Sequence, residues 1–470
     1  MKVTFLGHAE LLIEAAGKRI LIDPWLVEPV FAGAWFRYPP RPYARLADLG
    51  PLDAVILSHE HPDHAGVGTL KALPDVPIFA MDFVSPTLRR NTERAGRKVE
   101  WLAAGVTRAL APDLSFTLLP HSAGWQVASV VVESEGVRIY HGNDNAMPLD
   151  GYQAIQRRFP RVDIAFLPFA GASSYPTCFE WSAEVIAQKG EAKKTEGIER
   201  LEDGIRGLRP LRAVPFASSW ALLEPGSIEK NYVDRATPEE AIARTTKFAQ
   251  EHDTELLLFE VGDEWTPADG LVSKGLSKAW KHDLGSVRSY ADKERERVTR
   301  SIAEARQIPS GARDVKAPFL QHLEALIDAS RGMLAELDGV TIAVAAEGGP
   351  AFSLRFAHGQ RPVIVEGAEG ADEVLIIDLP ELWAVLVGTW LWEDIWYGYR
   401  MRVQKREGTP YYRAFWDALL FFDDFELKQI LRRDAQSASQ TGSSIASEVQ
   451  DAGAPTGEQR DGVPPGISTK

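Results

Sequence analysis

The chain of 470 residues contains a single cysteine, Cys178. One thiol excludes an intrachain disulfide, a thiolate zinc cage and an iron-sulfur cluster held by this chain alone. Positive charge is also short: 52 lysines and arginines stand against 66 aspartates and glutamates, a formal net charge of -14. With no basic surplus to neutralise phosphates, the composition argues against a nucleic-acid binder. Long apolar runs are missing too. The nearest approach to the roughly 18 residues of a membrane span is the interrupted stretch 382–391, and the N-terminus turns polar at His8 and Glu10 before a signal-peptide core can form. A cytoplasmic protein without a membrane span is expected. The apolar fraction of 45% and charged fraction of 25% are those of a globular chain, and its length predicts two domains plus extensions.

Against these absences stands one dense cluster. Ser58-His59-Glu60-His61-Pro62-Asp63-His64 follows the apolar run Ala54-Val55-Ile56-Leu57 directly. Imidazole nitrogen and carboxylate oxygen are the donors that first-row divalent cations accept, and a strand end followed by a tight loop aims several of them at one point. His59 and His61 alternate as on an extended chain, while Asp63 and His64 lie past the bend that Pro62 favours. Neighbours pointing in different directions serve two metal positions rather than one. Further ligands are expected from the ends of neighbouring strands. The two candidates are His121, after Phe116-Thr117-Leu118-Leu119-Pro120, and Asp144, after the run from Val137 to Asn143. A strand-end aspartate can bridge two cations with its two oxygens.

Alternating patterns predict strands at 2–6, 11–15, 18–23, 54–58, 76–80, 115–120, 127–133, 137–142, 163–168 and 211–216. Helical patterns fall at 66–73, 82–94, 150–158, 183–208 and 238–251, with an apolar strand at 255–261. Early hairpins followed by alternating strands and helices predict an α/β fold with two sheets between helices. Residues 1–285 read as the metal-binding catalytic domain and 286–315 as a charged helical connector. Residues 316–432 read as a smaller α+β domain, and the Ser-, Gly- and Pro-rich stretch 433–470 as a disordered tail. The aromatic block from Trp383 to Phe425 has the spacing of a packed helical layer.

Several residues carry two readings. His8 and Asp23 lie near strand ends and either orient a ligand or serve the backbone. The turn containing Gly171, Ser173 and Ser174 offers amides and hydroxyls to an anionic substrate, or is a plain turn. His141, inside a strand, reads as structural.

The His-x-His-x-Asp-His order at 59–64 resembles the signature of the metallo-β-lactamase fold. That resemblance implies an αββα sandwich with metals at one edge. It implies that His59, His61 and His121 bind one metal, that Asp63 and His64 bind a second, and that Asp144 bridges them. The chain departs from the fold's pattern at Val214-Pro215-Phe216-Ala217-Ser218-Ser219-Trp220, where a last histidine is usual and none occurs. A narrower resemblance is to the CMP-N-acetylneuraminate hydroxylase family, at Leu21-Ile22-Asp23-Pro24-Trp25-Leu26, Phe169-Ala170-Gly171-Ala172-Ser173-Ser174-Tyr175-Pro176, Pro215-Phe216-Ala217, Trp265-Thr266-Pro267, the block Leu391 to Tyr399, and Phe415-Trp416. That family is a monooxygenase whose Rieske domain delivers electrons to the metal site. The strands beyond residue 340 also resemble a sterol-carrier type of α+β domain.

The resemblance implies an iron-dependent oxygenase acting on a small organic substrate, with electrons from a separate Rieske or ferredoxin protein. The alternative is a zinc hydrolase of an ester, phosphodiester or amide, in which the metal lowers the pKa of a bound water and Asp63 orients it as the catalytic carboxylate.

Overall fold

The computed structural model describes residues 1–422 except 44, 125, 145, 276–278, 308–314 and 407. The expected tail at 433–470 and the last ten positions of the second unit lie outside the described residues. No helix among the described residues is long and apolar enough to cross a membrane.

Two sheets face each other. The first has eight strands in the order Gly270–Val272, Glu264–Thr266, Lys2–Gly7, Glu10–Ala15, Lys18–Ile22, Ala54–Leu57, Ile78–Met81 and Glu100–Leu102. It begins as antiparallel hairpins and becomes parallel from Lys18–Ile22 onward. The second has seven strands in the order Glu255–Leu256, Arg212–Phe216, Ile164–Pro168, Val137–His141, Ala128–Ser134, Leu114–Pro120 and Thr107–Ala111.

Side-chain alternation decides the layering. Val3, Phe5, Leu11, Ile13, Ile20, Ile22 and Ile56 turn inward onto Phe116, Val130, Ile139, Phe166 and Val214 of the other sheet. Their neighbours Leu6, Leu12, Leu21, Val55 and Leu57 turn outward beneath Leu70 and Leu88 of the helices Val67–Ala72 and Thr87–Arg94. The second sheet is covered in the same way by Leu149–Arg158, Ala183–Leu208 and Pro238–Glu251. Strands buried on both faces read as continuous apolar runs, which is the pattern at 54–57 and 164–168. The result is the expected αββα sandwich.

Helix Ala183–Leu208 starts at Ser182, whose hydroxyl accepts from the Val185 amide, and ends at Arg209 with φ 50°. It lies tight against the second sheet. A Cβ at Gly197 would sit 2.1 Å from the Phe169 carbonyl oxygen, so only glycine permits that approach.

The second unit holds the five-stranded sheet Val363–Glu366, Ala351–Arg355, Thr341–Glu347, Glu373–Asp378 and Arg402–Lys405. Its helices are Lys316–Ala329, Arg331–Leu334, Leu379–Leu386, Trp392–Tyr397 and Arg413–Phe422. Trp390, Trp392, Trp396, Tyr399, Tyr412, Phe415 and Trp416 pack in its core, as the aromatic spacing predicts. That core does not stop at the unit's edge. Trp25, Phe31, Trp35, Phe179, Trp220 and Leu222 of the sandwich belong to the same apolar cluster.

Some expectations differ from the structure. The strand expected at 255–261 is ordered as strand only at Glu255–Leu256, and the helical connector expected at 286–315 holds two helices, Leu284–Lys293 and Arg295–Ala305, with Glu294 between them. The helical pattern at 66–73 follows a separate short turn of helix, Pro62–Ala65.

Candidate metal centre

Four strand ends converge at one edge of the sandwich. His8 follows Lys2–Gly7, Asp23 follows Lys18–Ile22, the segment from Ser58 to His64 follows Ala54–Leu57, and Asp144 lies three residues past Val137–His141. His8, Asp23 and Asn143 all have left-handed backbones, with φ 50°, 47° and 49°. Such conformations cost about 1–3 kcal/mol each and cluster where surrounding structure enforces a functional geometry. Gly66 closes the loop: a Cβ there would lie 2.5 Å from the Pro62 carbonyl oxygen.

The ligand-type atoms form two groups that share Asp144, one of His59, His61 and Asp144 and one of His8, Asp63, His64 and Asp144. Within each group the atoms lie within 4.8 Å of one another. In the first, His59 Nε2 faces His61 Nδ1 at 2.9 Å and Asp144 Oδ1 at 3.6 Å. In the second, His64 Nε2 lies 3.5 Å from Asp63 Oδ2 and 3.4 Å from Asp144 Oδ2, while His8 Nε2 contacts Asp63 Oδ2 at 2.8 Å.

The outer nitrogens are held from behind. Asp23 accepts from the Ser58 amide at 2.7 Å and the Ser58 hydroxyl at 2.6 Å, and its Oδ2 lies 3.0 Å from His64 Nδ1. Ser58 Oγ in turn contacts His59 Nδ1 at 2.9 Å. These contacts leave Nε2 of both histidines facing inward, the arrangement in which outer partners fix ring orientation and tautomer for metal ligation.

Charge and burial fit a cation. Burial opposes a charge on His64, yet Asp144, Asp63 and Asp23 hold its pKa well above the usual imidazole value. Burial likewise opposes ionisation of Asp63 and Asp144, and the surrounding histidines hold both carboxyls below the ordinary range. Burial, with His64 adding to it, pushes His59 down to about 3, leaving it neutral and able to donate a lone pair. Buried and without a hydrogen-bond partner, His64 Nε2 and Asp63 Oδ1 are costly to leave unmet. A divalent cation would satisfy both.

The remaining expected residues fall elsewhere. His121 lies at the end of Leu114–Pro120, but its Nε2 faces the Ala146 carbonyl at 3.0 Å and its Nδ1 accepts from the Ala123 amide. Backbone groups engage both ring nitrogens, and the structure does not bring His121 into either group. Ser173 Oγ bonds the backbone of Tyr175, Ser174 Oγ donates to the Trp396 carbonyl at 2.6 Å, and Gly171 is exposed. That turn serves the contact between the units rather than the metal groups. His141 Nε2 bonds the Ala9 carbonyl at 2.8 Å, the structural role its strand position predicts.

Two neighbours escape sequence reasoning. Glu393 Oε2 lies 3.8 Å from His61 Nε2, and the Tyr397 ring lies 5.7 Å from the His61 ring. Both come from the helix Trp392–Tyr397 of the second unit. Both fall in the block Leu391 to Tyr399, but the sequence sets them apart within it only by standing four apart, on one helical face.

An αββα sandwich with a His/Asp cluster at one edge defines a metal-dependent enzyme of the metallo-β-lactamase fold. Residues 18–189 match the model of the Beta-lactamase superfamily domain, and that segment of the chain is such a domain. The chain is also 28% identical over 240 residues to cytidine monophosphate-N-acetylneuraminic acid hydroxylase of Cricetulus griseus, covering 48% of this chain and 41% of that protein. It is 27% identical over 235 residues to a putative Rieske 2Fe-2S iron-sulfur protein of Mycolicibacterium smegmatis, covering 48% and 45%. The matches thus span less than half the length of either relative. Among solved structures it is similar to Igni18, a novel metallo hydrolase from the archaeon Ignicoccus hospitalis, at 20% identity over 56% of this chain and 96% of that one. The TM-score is 0.39, and this likeness does not bear on the reaction.

Proposed function

We propose that the chain is an iron-dependent oxygenase that hydroxylates a small organic substrate with electrons from a separate Rieske or ferredoxin-type protein. The observation that carries the reading is Asp144, whose two oxygens face different histidines, Oδ1 towards His59 and Oδ2 towards His64. One carboxylate thereby joins two positions built only of imidazole and carboxylate. His59, His61 and Asp144 would hold the first ion, and His8, Asp63, His64 and Asp144 the second. The segment 214–220 offers no histidine, and His8 takes part in the second group instead. Iron held by such donors with open positions activates dioxygen when reducing equivalents arrive. Similarity to a hydroxylase and to a Rieske-type protein supports both the reaction and the partner.

The protein's own contribution is orientation and exclusion of water. Asp23 and Ser58 fix the histidine tautomers, while Trp25, Trp35 and Phe31 pack against His8 and His61 as an apolar wall. Such a wall limits loss of reducing equivalents to solvent. The test is oxygen uptake by iron-loaded protein with a chemical reductant. Uptake that requires both iron and reductant supports the reading, and its absence counts against it.

A zinc hydrolase is the second reading. Asp63 favours it: its Oδ1 is buried without a hydrogen-bond partner, and such a carboxylate would orient a metal-activated water. Turnover of ester or phosphodiester substrates by zinc-loaded protein without reductant is the expected sign of that chemistry.

A further inference from the structure

Each motif histidine presents one nitrogen to its metal group and one outward. For His59 the outward Nδ1 meets Ser58, and for His64 the outward Nδ1 meets Asp23, both from the sandwich. His61 is turned the other way. Its Nδ1 faces His59 Nε2 at 2.9 Å, so Nε2 is the outward atom, and the carboxylate facing it is Glu393 at 3.8 Å.

Glu393 is the second residue of the helix Trp392–Tyr397, far along the chain from the metal loop. That helix is fixed in place by the sandwich. Trp35 Nε1 donates to the Tyr397 carbonyl at 2.8 Å, Ser174 Oγ donates to the Trp396 carbonyl at 2.6 Å, and Arg400 of the following loop donates to the Ala32 carbonyl. The Tyr397 ring sits 5.4 Å from Phe31, which is itself 5.9 Å from His61. Below them Trp392, Ile395 and Trp396 join the apolar cluster shared by the two units. Glu393 therefore reaches His61 from a rigid support.

We propose that Glu393 is a positioning residue for the metal centre, the outer carboxylate that sets the tautomer and ring orientation of His61 and so makes metal retention depend on the docked second unit. The inference rests on the reading of His59, His61 and Asp144 as a metal group. A neutral imidazole carries one N–H, and for Nδ1 to donate its lone pair to a cation the proton must reside on Nε2. A carboxylate facing Nε2 stabilises that tautomer and raises the basicity of Nδ1. Loss of such outer partners typically weakens metal binding about 10–100-fold.

The experiment uses the full chain, with Glu393→Gln as an isosteric change and Glu393→Asp as a shortened carboxylate. Cobalt(II) affinity is read by chelator competition, and the visible spectrum of the bound cobalt reports ligand geometry independently of turnover. Near-ultraviolet circular dichroism checks that the tryptophan-rich interface stays packed. Arg402→Ala, which removes exposed ion pairs to Glu180 of the sandwich and to Glu347 of its own unit, serves as the control for general loosening. The expected result is a fall of about 10–100-fold in affinity at one of two cobalt positions in Glu393→Gln, with an altered spectrum. Glu393→Asp should recover part of the loss, and Arg402→Ala should match the parent. Unchanged affinity and spectrum in packed Glu393→Gln overturns the role of Glu393 while leaving the metal groups standing. Failure of the parent chain to bind cobalt at all overturns both.

Discussion

Asp23 Oδ2 lies 3.0 Å from His64 Nδ1, both side chains fully buried, across 41 positions of sequence. The same carboxylate takes the amide and hydroxyl of Ser58, so it orients two of the three motif histidines at once. Replacing Asp23 with Asn places an N–H2 against one of these donors and frees the His64 tautomer. Metal affinity should fall about 10–100-fold, measured by chelator competition, and thermal stability of the metal-free protein should fall as well. Unchanged affinity would show that Asp23 does not orient the metal-facing histidines.

His8 touches Asp63 at 2.8 Å and joins His64 and Asp144 in one group. His8→Ala should reduce bound metal from two ions per chain towards one, sparing the position at His59 and His61. Metal stoichiometry after dialysis decides this. Two retained ions would make His8 an orienting residue for Asp63 and not a ligand.

The density of His59, His61, Asp63 and His64 after an apolar run is legible because all of them lie on one loop. The first five strands of the sandwich, through Ile78–Met81, are legible for a similar reason: alternation such as Phe5 inward and Leu6 outward is a local pattern. Glu393 is invisible in that way, since its place beside His61 depends on how a distant helix docks. His121 misleads because strand-end position is local, whereas the Ala146 carbonyl that occupies its Nε2 arrives from another loop. The strand Thr107–Ala111 escapes notice because it is an exposed edge without an apolar face to mark it.

Arg37 and Glu10 form a buried pair at 2.5 Å, and Arg37 also donates to the Leu6 carbonyl at 3.0 Å. Tyr43 completes the carboxylate's partners at 2.8 Å. The pair fastens the short strand Trp35–Arg37, whose Trp35 ring packs against His8. Arg37→Met leaves Glu10 without its cation and should cost about 3–5 kcal/mol by urea unfolding. A loss below about 1 kcal/mol would place the pair among weak surface bridges.

Asp234 is buried with Oδ2 lacking a hydrogen-bond partner, and burial pushes its carboxyl up to about 6 from the ordinary 3.8, although Lys193 at 3.9 Å opposes the shift. The unfolded chain releases this proton first, so from about pH 4 to 6 it holds fewer protons than the folded one. The contribution of Asp234 to stability therefore falls as pH rises through that window and is constant above it. Asp234→Asn should gain on the parent across the same window and hold that gain at higher pH. Melting temperatures of both proteins from pH 4 to 8 test this, and parallel profiles would contradict it.

The proposed redox activity belongs to a centre built from imidazole and carboxylate. Metal analysis of the chain purified without added metal, with oxygen uptake followed in the presence and absence of reductant, tests it most directly. The expected result is iron, at up to two ions per chain, and uptake that stops when reductant is withheld. Tightly held zinc with turnover indifferent to reductant would contradict it.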